Sequence, residues 1–250
     1  MNKYLILLLI ATLLTTFLHA QEDETKPPNS VLFHVGYGFQ VPGGDLNNDF
    51  GVTQDLGFGL SYLYQNFLFG VEGNFLFGNK VKIDPLSKLR VENGGIVSVN
   101  NELGQVLLTQ RAYYFGGNIG IIQPIFKKSK RSGIRFTIGS GLFQHKIKII
   151  DISEGIRQLD DPYIKGYDRL TNGLAFKEFL GYHYFSKNRL INFFLGVESV
   201  QAFTKNRRSI NFDTMTKDDT PRFDMLFGLR LGWNLPLYVA ENKDDEKFYY

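Results

Sequence analysis

The feature that most constrains this fold is a strict alternation between large apolar residues and small or charged ones. The stretch FDMLFGLRLGWNLPLY, residues 223–238, shows it most clearly. Every second residue is large and apolar from Phe223 to Trp233, while Asp224, Arg230 and two glycines stand between them. Successive side chains of a β-strand point to opposite faces. The stretch therefore predicts a strand with one apolar face and one face of glycine and isolated charge.

The same alternation recurs seven more times along the chain. Together with 223–238, the predicted strands are 31–40, 56–64, 67–78, 113–121, 134–142, 174–184 and 191–198. The 23 Phe, 13 Tyr and 26 Gly are a composition typical of β structure. Beyond the first twenty residues, no segment approaches the run of about 18 apolar residues that a membrane-spanning helix needs. The sequence thus predicts an all-β fold of eight strands.

The face of glycine and isolated charge indicates which side of each strand lies inside the barrel. Glycine suits the crowded interior of a narrow closed barrel, where opposite charges can also pair. The apolar face then points outward, and on every strand it needs lipid as its solvent. We therefore predict an eight-stranded antiparallel up-and-down transmembrane β-barrel. The charges expected to form a network in its lumen are Glu72, Arg111, Arg135, Lys177, Glu198, Asp224 and Arg230.

One carboxylate does not fit this scheme. Glu178 falls on the register predicted to face lipid. Either a bulge near Lys177 turns it inward, or it lies near the membrane interface.

The connections between the predicted strands alternate in length. Those at 65–66 and 186–189 are tight, the one at 123–133 is of medium length, and the long ones are 41–52, 79–108, 145–172 and 202–221. Short turns on one side and long loops on the other are typical of outer-membrane barrels. A soluble β-sandwich or a lipocalin-like barrel remains the alternative, but it would place glycines and charges on the exterior.

The first twenty residues have the organisation of a secretory signal peptide. Lys3 precedes an apolar run at 4–18, and Ala20 provides a small residue before the expected cleavage site. An uncleaved anchor is the alternative. The expected organisation is a signal peptide at 1–20, a periplasmic extension at 21–30, the barrel at 31–235 and a periplasmic tail at 236–250. Pro236 is expected to end strand pairing, because proline lacks a donor.

On these patterns the chain resembles the small OmpA/OmpX-like outer-membrane barrels over residues 31–235. The segment GLRLGW, 228–233, looks like the terminal-strand signal that the barrel-assembly machinery reads. The step GWNLPLY into a charged tail ending in aromatics is similar to the small barrel subunit linked to type IX secretion and gliding. The resemblance implies an outer-membrane location with both termini in the periplasm, contact with the bilayer and lipopolysaccharide, and a role in protein secretion.

The sequence offers little that points to catalysis. It has no cysteine, and no zinc-protease, nucleophile-elbow or phosphate-loop motif. We predict no catalytic, cofactor-binding or metal-binding residue. His34 and His183 fall on the lumen face, and His145 is expected to begin an outer loop. An enzymatic site of His145 with Asp151, Asp160 or Asp161 is the least favoured alternative. The net charge of +3, with both signs interspersed, gives no indication of nucleic-acid binding.

The C-terminal residues suggest a place for a partner. Phe248, Tyr249 and Tyr250 end a charged stem, and aromatic anchors of this kind are common in peptide recognition. A frayed tail is the alternative. We therefore predict a scaffold or partner-binding component of an envelope complex, with a periplasmic or outer-membrane protein as partner. A narrow porin-like pore or conduit for small molecules is the second hypothesis.

Overall fold

Eight long strands form one closed antiparallel barrel in the computed structural model, which describes residues 29–126, 129–153, 155–186 and 192–238. The barrel strands are β1 (Ser30–Gly44), β2 (Thr53–Tyr64), β3 (Phe67–Gly78), β6 (Val106–Phe126), β7 (Ser129–Asp151), β8 (Thr171–Phe185), β9 (Asn192–Asn206) and β10 (Arg222–Tyr238). Around the ring their order is β1-β10-β9-β8-β7-β6-β3-β2. The predicted all-β, eight-stranded antiparallel barrel is confirmed.

The remaining elements are short and lie in the connections. A two-stranded sheet pairs β4 (Ile96–Val97) with β5 (Leu103–Gly104), and a single helical turn, α1, covers Leu46–Asp49. Three 3₁₀ turns cover Ser87–Leu89, Arg157–Leu159 and Tyr163–Gly166. None of the helices in the described part of the chain has the length and apolar character needed to cross a membrane.

The apolar residues of the strands face outward. Phe115, Leu142 and Leu229 each expose more than three fifths of their surface, whereas the adjacent Tyr114, Phe143 and Arg230 are buried. Every barrel strand contributes large apolar side chains to this outer face. A lipocalin-like arrangement would bury the same residues, so the orientation of the strands rules out that alternative.

Several strands are longer than their alternation predicted. The hairpin of β6 and β7 continues to the pair Val106–Asp151, although β6 leaves β3 at Gln110 and β7 leaves β8 at His145. This part of the hairpin therefore extends beyond the barrel rim, and its Ile147 and Ile149 pack into the apolar cluster of that end. His145 consequently lies within β7, and the expectation that it begins a loop was wrong.

Pro236 does not end strand pairing as expected. β10 runs to Tyr238, and Pro236 lies opposite Leu32 of β1. Within the described residues, β10 pairs with β9 only as far as Trp233. Proline is tolerated near a strand end, where its missing donor is not required for the ladder.

The interior is layered, whereas the sequence predicted a polar lumen throughout. At the end where β1 begins and β10 ends, Leu32, Leu63, Leu68, Ile122 and Phe185 form an apolar cluster. A larger cluster at the opposite end joins inward-facing strand residues with residues of the long connections, here called the loop plug: Leu46, Phe50, Leu86, Ile96, Ile156 and Leu159. Loop side chains thus bury their apolar surface inside the rim.

The loop plug is expected to stabilise the barrel. Phe50 is 1 % exposed, and its ring packs edge-on against His145. We predict that Phe50→Ala lowers the free energy of unfolding by about 3–5 kcal/mol, because it removes a large buried side chain and leaves a cavity. Urea unfolding from micelles measures this, with the exposed loop substitution Val99→Ala as the control. Equal, negligible effects would mean that the plug does not contribute to stability.

Candidate functional site in the barrel interior

A cluster of buried charges, here called the charge layer, crosses the barrel between the two apolar clusters. Its cations are Arg230 of β10 and Lys177 of β8, and its anions are Asp55, Glu72 and Glu198. The Arg230 Nη1 atom lies 2.8 Å from Glu198 Oε2 and 3.5 Å from Asp55 Oδ2. The Lys177 Nζ atom lies 3.1 Å from Glu198 Oε2 and 3.2 Å from Glu72 Oε2. Each charge therefore has at least one partner from another strand.

Glycines provide the space that the charge layer needs. A Cβ atom on Gly57 would collide with the Arg230 guanidinium, and one on Gly36 would lie 2.8 Å from Arg230 Nε. Both glycines face the interior from neighbouring strands, β2 and β1. The glycine-rich inner face of these strands therefore accommodates a long cation in a narrow barrel.

Uncharged polar groups complete the hydrogen bonds of the anions. The Gln40 amide donates to Asp55 Oδ2 at 2.9 Å and to Glu198 Oε1 at 2.7 Å. The Asn74 amide donates to Asp55, and its carbonyl oxygen accepts from Lys177 Nζ at 3.0 Å. Buried ions are tolerated when such bonds satisfy their remaining capacity. Gln40 and Asn74 therefore belong to the site.

Arg135 borders the charge layer but binds aromatic rings. Its guanidinium carbon lies 5.0 Å from the ring centre of Phe194 and 5.4 Å from that of Phe179, within the range of cation–π attraction. In the part of the chain that the structure describes, no carboxylate lies within ion-pair distance of Arg135. A cavity of about 10 Å³ lies beside Arg135, Glu72 and His34, which is room for about one water molecule.

Two of the seven predicted lumen charges lie elsewhere. Arg111 is on the outer face opposite Phe77, and its guanidinium lies 5.8 Å from the ring centre of Phe75. It shares the register of the outward-facing Tyr113, so its assignment to the lumen was wrong. Asp224 does face inward, but it lies among the residues of the loop end. The structure thus brings together Glu72, Lys177, Glu198 and Arg230, with Arg135 beside them.

Asp224 forms its own buried pair with His145. The His145 Nε2 atom lies 3.0 Å from Asp224 Oδ2, and the Thr204 hydroxyl donates to the same oxygen at 2.5 Å. All three side chains are buried. The histidine predicted to lie on the rim is therefore enclosed beneath the loop plug.

The rim acids considered for an enzymatic site serve other purposes. Asp151 accepts hydrogen bonds from the backbone N–H groups of Ser153, Gly155 and Ile156, and so shapes the connection after β7. Asp161 pairs with Lys165 at 2.7 Å, and Asp160 is exposed. None of them approaches His145. Within the described ranges, no three His, Asp or Glu residues form a group that could hold a metal ion.

Ion pairs hold the long connections together at the loop end. Arg208 donates to both carboxylate oxygens of Asp168, at 2.8 and 2.5 Å, and this bond raises the pKa of the guanidinium. Burial acts to raise the pKa of Asp218, but the N–H of Thr220 and the charge of Arg222 outweigh it and lower that pKa. These charges therefore fold the loops back onto the rim.

The sequence missed Asp55, Gln40 and Asn74 as members of the charge layer for identifiable reasons. The predicted strand starts at residue 56, directly after Asp55, whereas β2 begins at Thr53 and therefore includes Asp55. Gln40 and Asn74 are uncharged and lie on the predicted inner face, so the alternation placed them correctly without indicating their partners. The predicted aromatic anchors Phe248, Tyr249 and Tyr250 lie outside the described residues.

The charge layer is expected to be sensitive to the loss of one ion. We predict that Arg230→Met lowers the free energy of unfolding by about 3–5 kcal/mol, because it leaves Glu198 and Asp55 buried without their shared cation. Urea unfolding from micelles measures the effect, and Leu229→Met on the outer face of the same strand is the matched control. Equal, small losses in both variants would contradict a paired interior.

Comparison with known proteins finds likeness at the level of fold. Neisserial surface protein A has a TM-score of 0.44 at 10% identity, covering 85% of this chain and 99% of that one. Ail of Yersinia pestis has a TM-score of 0.40 at 9% identity, covering 83% and 98%. The N-terminal β-barrel domain of Pseudomonas aeruginosa OprF has a TM-score of 0.35 at 12% identity, covering 83% and 98%. No family model and no curated protein sequence matches the chain.

Proposed function

We propose that the protein is an outer-membrane β-barrel that acts through its two rims, as a scaffold or partner-binding component of an envelope complex. The apolar outer face of all eight strands supports the membrane location, because such a surface is stable in lipid and not in water. Ring closure supports it too, since a bilayer offers no partner to an unpaired strand edge. The signal peptide expected at residues 1–20 would direct the chain out of the cytoplasm.

The filled interior is the observation that favours a scaffold over a pore. The charge layer spans the barrel, the loop plug packs into one end, and a second apolar cluster packs into the other. The cavity beside Arg135 has room for about one water molecule. A hydrated ion or a small solute would need a continuous aqueous path. Conduction is therefore the second candidate, and it requires the plug to move.

Catalysis ranks third. His145 bonds to the acidic Asp224, and it is 2 % exposed beneath Phe50. His145 and Thr204 both bond to Asp224 Oδ2, so the Thr204 hydroxyl donates to the aspartate and not to the imidazole. A nucleophile needs contact with its base and access for substrate. This arrangement provides neither.

Basic residues on the outer face suggest which rim faces the cell exterior. Lys146 and Lys148 lie on the outward register of β7, beyond the apolar Leu142. Lipopolysaccharide phosphates would lie at this level of the outer leaflet, and lysine is a common phosphate ligand. We place the loop end outside and both termini in the periplasm on this basis.

The C-terminal tail, residues 239–250, is the proposed docking arm for a periplasmic protein. Its acidic residues would attract a basic partner, and Phe248, Tyr249 and Tyr250 would provide buried contacts. The likeness of the GWNLPLY step to the barrel subunit linked to type IX secretion makes a secretion complex the preferred setting.

The membrane and scaffold proposals can be tested on one preparation. We expect the protein to fractionate with outer membranes. We also expect heat-modifiable migration on gels, with heated and unheated samples at different positions. In planar bilayers it should show no steady conductance, because the charge layer and plug fill the lumen. Recovery of soluble monomer without detergent would refute the membrane location, and stable single-channel currents would favour the pore.

Truncation after Tyr238 tests the tail. This change leaves the whole of β10 in place, so the barrel should assemble and keep its stability. Recovery of periplasmic partners from crosslinked membranes should be lost. The matched control is substitution of Phe248, Tyr249 and Tyr250 by serine in the full chain, which should have the same effect. Full partner recovery by both variants would show that the tail is dispensable.

A further inference from the structure

A polar patch interrupts the apolar outer face at the middle of three neighbouring strands. It consists of Ser140 of β7, Glu178 of β8, and Ser199 and Gln201 of β9. Apolar residues stand along the strands on both sides of it, among them Leu142, Leu174, Phe203, Leu180 and Val197. The patch therefore lies within the proposed lipid-facing belt and away from its edges.

Glu178 is held on the outer face by regular pairing. β8 pairs without interruption with both neighbours, Ile138 opposite Glu178 on one side and Ser199 opposite it on the other. The bulge considered from the sequence is absent from this described part of β8, so nothing turns the carboxylate inward. A charged group on the lipid face is destabilising near the bilayer centre, although less so for Glu than for Arg or Lys. A partner that satisfies the carboxylate would remove that cost.

The hydrogen bonds within the patch leave one acceptor and one donor free. The Gln201 Nε2 atom donates to Glu178 Oε2 at 3.3 Å and to Ser199 Oγ at 3.1 Å. Among the described residues, nothing bonds to Glu178 Oε1, and the Ser199 hydroxyl hydrogen has no acceptor. The unsatisfied acceptor and donor belong to residues directly opposite each other on β8 and β9.

We propose that this patch is the contact surface between two copies of the chain in the membrane. A twofold axis along the membrane normal, passing between β8 and β9, would bring β8 of each copy against β9 of the other. Glu178 of each copy would then accept a hydrogen bond from the Ser199 hydroxyl of the other. Twofold contacts require such a self-complementary surface, in which residue i meets j and j meets i. A patch with only acceptors would instead fit a different, donor-rich partner.

This inference rests on the proposed membrane location and is tested on protein already reconstituted in lipid. Single-molecule photobleaching across a dilution series should show that wild-type protein dimerises reversibly. Ser199→Ala and Glu178→Leu should each weaken dimerisation by about tenfold, since each removes both reciprocal bonds. Ser140→Ala, on the neighbouring strand, should leave dimerisation unchanged. Glu178→Leu also removes the charge from the apolar belt, so the barrel should fold at least as stably as wild type.

The absence of cysteine allows a direct test of the geometry. Ser199→Cys treated with a short bis-maleimide should yield a crosslinked dimer, whereas Leu60→Cys, on β2 at the opposite side of the ring, should not. Monomer at every concentration, or equal crosslinking at both positions, would overturn the proposal. Crosslinking of Ser199→Cys to a different protein in native membranes would also overturn it. A soluble, lipid-free protein would instead refute the membrane location itself.

Discussion

The small interior volume of an eight-stranded barrel is the constraint on which the rest of this structure depends. Closure pairs every neighbouring strand, but it also forces side chains from all eight strands toward one axis. Arg230 occupies that axis only because Gly36 and Gly57 leave it room. Since the guanidinium is then cut off from water, carboxylates must accompany it, and Glu198 and Asp55 do. Glycines, cation and anions therefore form one interdependent unit.

The apolar clusters on both sides determine how strongly these charges interact. Leu32 and Phe185 close the terminal end, and the loop plug closes the other, so the charge layer is enclosed in a medium less polar than water. Attraction between ions grows as the effective dielectric constant falls, and so does the cost of an unpaired ion. Such an interior favours a single arrangement of side chains over an open, hydrated channel. This is why the rims and the outer surface, and not the lumen, are where the molecule can meet other molecules.

The alternation of side chains along β8 and β9 links the barrel interior to the outer surface. Lys177 points into the charge layer, and the next residue, Glu178, points to the outer surface; Glu198 and Ser199 are related in the same way. The charge layer fixes the side-chain positions of Lys177 and Glu198. The register of β8 against β9, on which the outer polar patch depends, follows from the uninterrupted pairing of the two strands. The same pairing gives a defined geometry to the proposed contact surface on the outside.

The sequence by itself determined the number of strands, their antiparallel order and the outward direction of the apolar face. It could do so because a period of two is a local property of each strand. A glycine face behind a face of large apolar residues also fits the crowded interior of a narrow barrel. It also placed Glu72, Lys177, Glu198 and Arg230 on one face. Strand ends were less predictable, because β6 and β7 keep pairing past the points where each leaves its other neighbour, and alternation does not mark those points.

Only the tertiary structure decided which charges meet and what fills the barrel. Asp55 of β2 reaches Arg230 of β10 across the intervening β1, a contact between residues far apart in sequence that alternation cannot encode. The loop plug was invisible for a similar reason, since Phe50 and Leu86 have no regular spacing and acquire their role by packing inside the rim. The outer polar patch likewise depends on register, which aligns Glu178 with Ser199. Periodicity fixes the face of each side chain, and closure of the ring fixes its neighbours.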